Sequence, residues 1–218
     1  MKYNATHTTY RNTNGHEVPS VTTILKILNK PFLAKWANIQ GFKRNNIDDL
    51  LKESSYLGTM VHHIIESYLM GRKYMWLSPN QDMKYQIMLR LSGFISWKKN
   101  HDVIPTFMER KCFSEYYGGT IDFYGMVDGK HTILDFKTSK KAYSSMFLQL
   151  AAYTQMVEEM GLQVDQVAII NIHPNAYKEK FIQRDELQPY IDCFNQLLEL
   201  FHTWYNLNIS DGWGDILA

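Results

Sequence analysis

The sequence predicts an α/β fold with a helical first half and a second half built on a sheet. Three observations carry this expectation. Apolar residues recur at helical spacing from about residue 20 to residue 100. Beyond residue 105 the pattern shifts to short runs rich in β-branched and aromatic residues. Between two of those runs stands Asp128-Gly129, a strong signal for a two-residue hairpin turn.

The elements follow in order. Residues 1–18 read as an extended or weakly ordered lead-in. Pro19-Ser20 opens a helical stretch, with Ser20 as its N-cap before Val21, Ile24, Leu25 and Leu28. Pro31 begins a second helix through Trp36 and Ile39. A third covers Asp48 to Met70, interrupted or restarted near Gly58, and a fourth covers Gln81 to Asn100. Thr106–Ser114, Thr120–Met126 and His131–Lys137 are expected strands. A helix follows from Tyr143 to Met160, then a buried strand at Val164–Ile172, an edge strand at Lys180–Arg184 and a closing helix from Glu186 to Asn206. The 218 residues suit a single domain, with a helical part at 19–100 and an α/β core at 101–218.

Composition sets limits. Hydrophobic residues make up 45% and charged residues 21%, a globular profile. No apolar run approaches the ~20 residues of a membrane span, and the start of the chain lacks a signal core or transit helix. A cytoplasmic setting, bacterial or in a phage-infected cell, and no membrane partner are expected. The formal net charge is only +1, so phosphate binding has to come from a local basic patch or a metal. Cys112 and Cys193 cannot supply a four-cysteine zinc or iron–sulfur site, and two free buried thiols are expected.

The hairpin carries the chemistry. With Asp128-Gly129 as a two-residue loop, Val127 pairs with Lys130 and Asp122 falls opposite Asp135. That register puts Ile121, Phe123, Leu134 and Phe136 on one apolar face and Asp122, Asp135 and Lys137 on the other. Facing residues on antiparallel strands have Cβ atoms about 4.5–5.5 Å apart. Two carboxylates so placed repel unless a shared proton, Lys137 or a cation intervenes. Mg²⁺ suits a few carboxylate oxygens plus waters. An isolated Asp-x-Lys is more often an exposed strand motif; the facing pair and the clean apolar face argue otherwise here.

These residues resemble a known family. Gly119-Thr120-Ile121-Asp122, then Ile133-Leu134-Asp135-Phe136-Lys137-Thr138-Ser139, then Gln149-Leu150-Ala151-Ala152-Tyr153, are similar to the motifs of PD-(D/E)XK nucleases, in particular the RecB-like exonuclease branch. Gly58-Thr59-Met60-Val61-His62 fits that branch's upstream helix. Pro19-Ser20-Val21-Thr22 with Trp36 looks like bacteriophage exonucleases and the mitochondrial genome maintenance exonuclease. The resemblance covers roughly residues 19 to 205. It implies a restriction-endonuclease-like core, a central mixed sheet flanked by helices, with a helical N-terminal elaboration. Some relatives add a four-cysteine iron–sulfur cluster, which this chain lacks the residues to bind.

The resemblance also implies roles, each beside an ordinary alternative. His62 sits at the edge of the Val61, Ile64, Ile65 and Tyr68 stripe, where it can reach a site below or be a boundary histidine; His63 points to solvent. Glu66, one turn on, can orient the imidazole or be a surface carboxylate. Glu109 can touch a second metal or be a salt-bridged strand residue. Gln149 and Tyr153, at i and i+4 on one helix face, can contact substrate phosphate or orient Lys137; otherwise they flank the Phe147, Leu150, Ala151 and Val157 stripe. Thr138, Ser139, Lys140 and Lys141 can bind the DNA backbone or form a solvated loop. Lys26, Lys30, Lys35, Lys43 and Arg44, with Trp36 and Phe42, can line a stacking groove or be ordinary core and surface.

The implied mechanism is metal-assisted phosphodiester hydrolysis. Asp122, Asp135, His62 and the Phe136 carbonyl are assigned to Mg²⁺ or Mn²⁺, and Lys137 to the attacking water or the developing charge. The expected partner is DNA, single-stranded with free ends. Endonucleases of this fold usually dimerise or carry a sequence-reading region; neither is evident, and a monomer is expected. An endonuclease and a non-catalytic DNA-binding module remain alternatives.

Overall fold

The computed structural model describes residues 10–28, 31–74, 80–139 and 143–210, with backbone alone at 31–32 and 207–210. Lys30, Lys140, Lys141 and the first nine residues of the lead-in fall outside the described residues. A small antiparallel pair, β1 (Tyr10–Arg11) and β2 (Glu17–Val18), opens the described chain. Helix α1 (Val21–Ile24) follows, capped as expected by Ser20, whose Oγ accepts from the Thr23 N–H at 3.0 Å. It runs on as a 3-10 turn at Leu25–Ile27, then come α2 (Pro31–Phe42), α3 (Ile47–Leu69) and α4 (Gln81–Asn100). The expected break near Gly58 is absent: α3 is one helix of 23 residues, N-capped by Asn46. Its second half buries Val61, Ile64 and Ile65, and that packing outweighs one glycine's helix penalty, about 1 kcal/mol.

The core is a five-stranded mixed sheet in sequence order: β3 (Val103–Phe113), β4 (Gly118–Val127), β5 (Lys130–Lys137), β6 (Gln166–His173) and β7 (Ala176–Gln183). Only β5 and β6 run parallel. Helix α5 (Ser145–Glu159) makes the crossover between them, and α6 (Gln188–Ser210) closes the chain. One face of the sheet packs on α1, α5 and α6 through residues such as Tyr124, Ile133, Ile169, Leu150 and Phe194. The other packs on α3 and α4 through Phe123, Leu134, Phe136, Ile65 and Trp97. This is the restriction-endonuclease-like arrangement expected from the sequence, with helices on both faces.

Two expectations are corrected. Ile121 does not share a face with Phe123, Leu134 and Phe136: it packs in the α5–α6 cluster and they pack in the α3–α4 cluster. The alternation breaks at Asp122. Across from it, Glu109 takes a left-handed backbone (φ 46°), and the pairing of β3 with β4 passes from Met108↔Phe123 to Arg110↔Ile121. Cys193 is exposed, whereas Cys112 is buried; both are free thiols. No described helix is long and apolar enough to cross a membrane.

Candidate active site

The β4–β5 register holds from Val127↔Lys130 to Phe123↔Leu134. Asp122 and Asp135 lie one step beyond the last pair. There the Asp122 carboxylate, not a strand carbonyl, accepts the Phe136 N–H at 2.9 Å. Both aspartates are buried, at 8% and 1% exposure. Lys137 donates to Asp135 Oδ1 at 2.7 Å, while Asp135 Oδ2 has no hydrogen-bond partner among the described residues.

Helix α3 delivers His62 onto this strand end. Its Nε2 donates to the Phe136 carbonyl at 2.7 Å. Its Nδ1 lies 3.4 Å from Glu109 Oε1 and 3.4 Å from Asp122 Oδ2. The two expected metal-binding groups of residues 62 and 136 thus bond to each other, and Nδ1 is the ring atom turned to the carboxylates. Gly58, one turn earlier on the same helix, marks the approach to β5: a Cβ there would meet Thr138 Oγ1 at 3.5 Å, an ordinary contact. The left-handed backbone of Glu109, uncommon for a non-glycine residue, lies where its carboxylate reaches His62.

The electrostatics are those of crowded buried charge. Burial pushes the Asp122 carboxyl above its ordinary value, against the pull of His62 and Lys137. Burial, with the Asp122 charge, pushes Asp135 up to about 6 despite Lys137. Burial lowers His62, but Asp122 and Glu109, with Asp135, outweigh it and raise the imidazole to about 9. Lys137 follows the same logic: burial works against its charge, yet Asp135 and Asp122 hold its pKa above the ordinary lysine value. It is an ammonium donor and not a free base. His62 Nδ1, Glu109 and Asp122 offer ligand atoms all within 4.8 Å of one another. With Nε2 spent on a carbonyl, a neutral imidazole would aim a lone pair at two carboxylates. Only a proton or a cation relieves that arrangement, and the nitrogen–oxygen donor set fits a divalent ion. The unpartnered Asp135 Oδ2 adds a further oxygen.

The remaining expected residues fall at varied distances from this centre. Gln149 donates to the Tyr153 hydroxyl at 2.8 Å. Burial holds that phenol well above its ordinary pKa, so it keeps its proton. Tyr153 lies against Gly119, where an added Cβ would stand 2.5 Å from the ring, so only glycine fits. Next to it, Gly118 makes room in the same way for the Tyr10 ring, and the Tyr10 hydroxyl bonds Thr120 Oγ1 at 2.9 Å. Glu66 lines the same cleft of about 460 Å³ as Gly58, Thr59, His62, His63 and Glu109, but Arg72 holds its carboxylate at 3.0 Å. Thr138 is partly buried and Ser139 exposed at the end of β5. Lys26, Lys35, Lys43 and Arg44 are exposed, Phe42 is 90% exposed and Trp36 is partly buried. A larger depression at the opposite end of the sheet is lined by Lys130, Gln183 and Arg184. Both of its cations already have partners: Lys130 donates to the Gln183 amide oxygen and Arg184 to the Glu158 carboxylate.

Among the buried polar residues that the sequence does not mark out, Asn171 adjoins the site. Asn171, on β6 opposite Lys137 in the parallel ladder, is 3% exposed, and its Oδ1 has no partner among the described residues.

No known family model and no curated protein sequence matches the chain. Among solved structures it is similar to a phage-related exonuclease from Haemophilus somnus 129PT, at 14% identity and a TM-score of 0.43, over 70% of this chain and 82% of that one. It is also similar to LHK-Exo, solved in complex with dAMP, at 12% identity and a TM-score of 0.33, over 70% of this chain and 85% of that one. These likenesses are remote.

Proposed function

We propose that the chain is a divalent-metal-dependent deoxyribonuclease of the PD-(D/E)XK type, a single nuclease domain acting as an exonuclease on single-stranded DNA with free ends. The observation that supports this most is the convergence of His62, Glu109, Asp122, Asp135 and Lys137 where β4 and β5 part. A purely structural role gives no reason to gather two buried carboxylates and a half-buried third against one histidine and one lysine.

In this reading His62 through Nδ1, Glu109 and Asp122 would hold Mg²⁺ or Mn²⁺, with Asp135 beside them, while the Phe136 carbonyl, on the far side of the ring, holds the imidazole instead of the ion. When bound, such an ion lowers the pKa of a coordinated water and polarises the phosphate. The Nε2–carbonyl bond fixes the tautomer and orientation of His62. Lys137, held by Asp135, places its ammonium where negative charge develops on the phosphate oxygens. Tyr153 and Gln149 buttress β4 from the α5 side, and Thr138 and Ser139, at the end of β5, would contact the adjoining DNA backbone. Net hydrolysis forms one bond from the water oxygen to phosphorus and breaks one to the leaving sugar oxygen. That oxygen gains a proton as the water loses one.

The strand preference rests on two features. Helix α3 brings His62 onto the Phe136 carbonyl at the end of β5, and a helix roofing the strand ends would leave more room for one strand than for a duplex. The near-neutral net charge does not favour broad duplex binding, whereas exposed Phe42 with Lys43 and Arg44 suits a few stacked bases. The test incubates a labelled linear single strand, a covalently closed circle of the same sequence and a linear duplex with Mg²⁺ or Mn²⁺. Mononucleotides or short oligomers from the linear strand alone are expected. Rapid cutting of the circle overturns the free-end reading in favour of an endonuclease. Equal rates on duplex and single strand overturn the preference. No cleavage of any DNA, with binding retained, overturns the nuclease reading in favour of a binding module.

A further inference from the structure

Resting on the hydrolytic reading above, we propose that Asn171 holds the attacking water, accepting a hydrogen bond from it at Oδ1. The residue stands out against its strand. Val167, Ala168, Ile169, Ile170 and Ile172 of β6 are all buried and apolar, and asparagine is depleted in strands. Its position in the sheet says where it faces. The parallel ladder pairs Asn171 with Lys137, and the antiparallel ladder pairs it with Lys178. Side chains in register on neighbouring strands leave the same face of a sheet. Asn171 therefore stands beside Lys137, in the row next to Asp135↔Ile169. Ile169 packs in the α5–α6 cluster, so that is the face in question.

The unpartnered atom says what is missing. Asn171 Oδ1 is buried and has no partner among the described residues, although lysines flank it in both ladders. The Lys137 ammonium is turned to Asp135 Oδ1 instead. Buried acceptors without a partner are costly and uncommon, and one that persists points to a ligand, a water or a functional role. The missing partner has to be a hydrogen donor. A phosphate diester oxygen has no hydrogen to give, and a water does. A water donating one hydrogen to Oδ1 has its lone pairs fixed in direction, and alignment of that kind decides the rate of attack on phosphorus. The water oxygen bonds to phosphorus, the bond to the leaving oxygen breaks, and one water proton passes to solvent while the leaving oxygen gains one. Asn171 ends as it began.

The experiment compares the full-length wild type with Asn171→Leu and Asn171→Asp, reading kcat and KM on linear single-stranded DNA with Mg²⁺ and thermal melting without metal. Leucine has the same number and branching of side-chain heavy atoms and no acceptor. It is expected to lower kcat about tenfold or more, leave KM nearly unchanged, and leave the melting temperature equal or higher, because an orphaned polar group has been removed. Aspartate keeps an acceptor at the same place, so its kcat stays near wild type while KM rises from added negative charge. Wild-type kcat in the leucine variant overturns the proposal. So does an effect on KM alone, which would make Asn171 a substrate contact. If leucine does not fold, aspartate decides: retained kcat supports an acceptor role, and lost kcat at normal melting overturns it. A wild type that cuts no DNA fails the nuclease reading itself, an outcome visible before any variant is compared.

Discussion

The two ends of the β4–β5 hairpin use the same residue type for opposite purposes. At the turn end, Asp128 (φ 51°) and Gly129 (φ 78°) take the left-handed conformations that a tight two-residue turn needs. The Asp128 carboxylate completes the backbone, accepting from the Asp102 N–H at 2.8 Å and meeting His101 Nδ1 at 2.6 Å. That hydrogen bond holds the Asp128 carboxyl below its ordinary value. At the open end, Asp122 takes the Phe136 N–H, but burial lifts its carboxyl and that of Asp135 above the ordinary range. One end is satisfied as folded. The other holds charge that folding alone does not reward, and such local conflict is characteristic of functional sites.

The sharpest way to break this contrast is Asp122→Asn. An amide oxygen can still accept from the Phe136 N–H, so the strand end is expected to keep its shape. A neutral group in place of a buried carboxylate leaves metal-free melting equal or higher. Cleavage is expected to fall on the order of 100-fold or more, the loss of a metal ligand. Divalent-ion calorimetry and melting together check this; unchanged Mn²⁺ affinity would remove Asp122 from the ligand set.

Lys137→Ala is next in size. The variant is expected to bind metal and DNA as before while kcat drops roughly 100-fold, the scale of one transition-state donor. Near-wild-type turnover would take Lys137 out of the mechanism. A loss confined to KM would make it a ground-state phosphate contact.

The same contrast explains what was legible in the sequence. Asp128-Gly129 fixed the register by local turn chemistry, and five ladder pairs follow from it. Helix α4 was readable end to end because its caps and periodicity are local. The face of Ile121 was not readable. Its displacement depends on the left-handed backbone of Glu109 on another strand, and nothing in the residue type of a glutamate announces positive φ. The sequence offers Glu109 for a second metal or a salt bridge, and in the structure its carboxylate stands beside His62 and Asp122. That grouping needs three elements folded together. Asn171 left one signal, a lone amide inside Val167–Ile172, which reads as an ordinary boundary residue until its missing partner is seen.

A pH series separates proton from metal at the open end. The His62 pKa is raised from 6.5 to about 9, so in chelator its contribution to stability is complete below 6.5 and is lost as pH rises through about 9. Asp135, raised from 3.8 to about 6, acts with the same sign at lower pH. Metal-free protein is therefore expected to lose up to about 3 kcal/mol of stability as pH climbs from 6.5 to 9, read as a falling melting temperature. Mg²⁺ should flatten that slope by taking the proton's place, and His62→Asn should flatten it without metal. Melting that rises across this window would show that the imidazole is not held charged by its carboxylates.

The smallest effect is expected at the turn. Asp128 is 49% exposed at its side chain, so its ion pair with His101 is screened and contributes little. What Asp128→Ala removes is chiefly the bond to the Asp102 N–H and the tolerance of a short polar side chain for positive φ. A loss of about 1 kcal/mol is expected, with kcat and KM unchanged. Asp128→Asn keeps both of those features and should fall between alanine and wild type. The kinetic half of this prediction tests the comparison itself. If the turn only completes the backbone, damage there stays local, because Phe123, Leu134 and the buried ladder between them hold the register. If Asp128→Ala also slows cleavage, the turn sets the spacing of Asp122 and Asp135 from five pairs away, and the two ends of the hairpin work as one device.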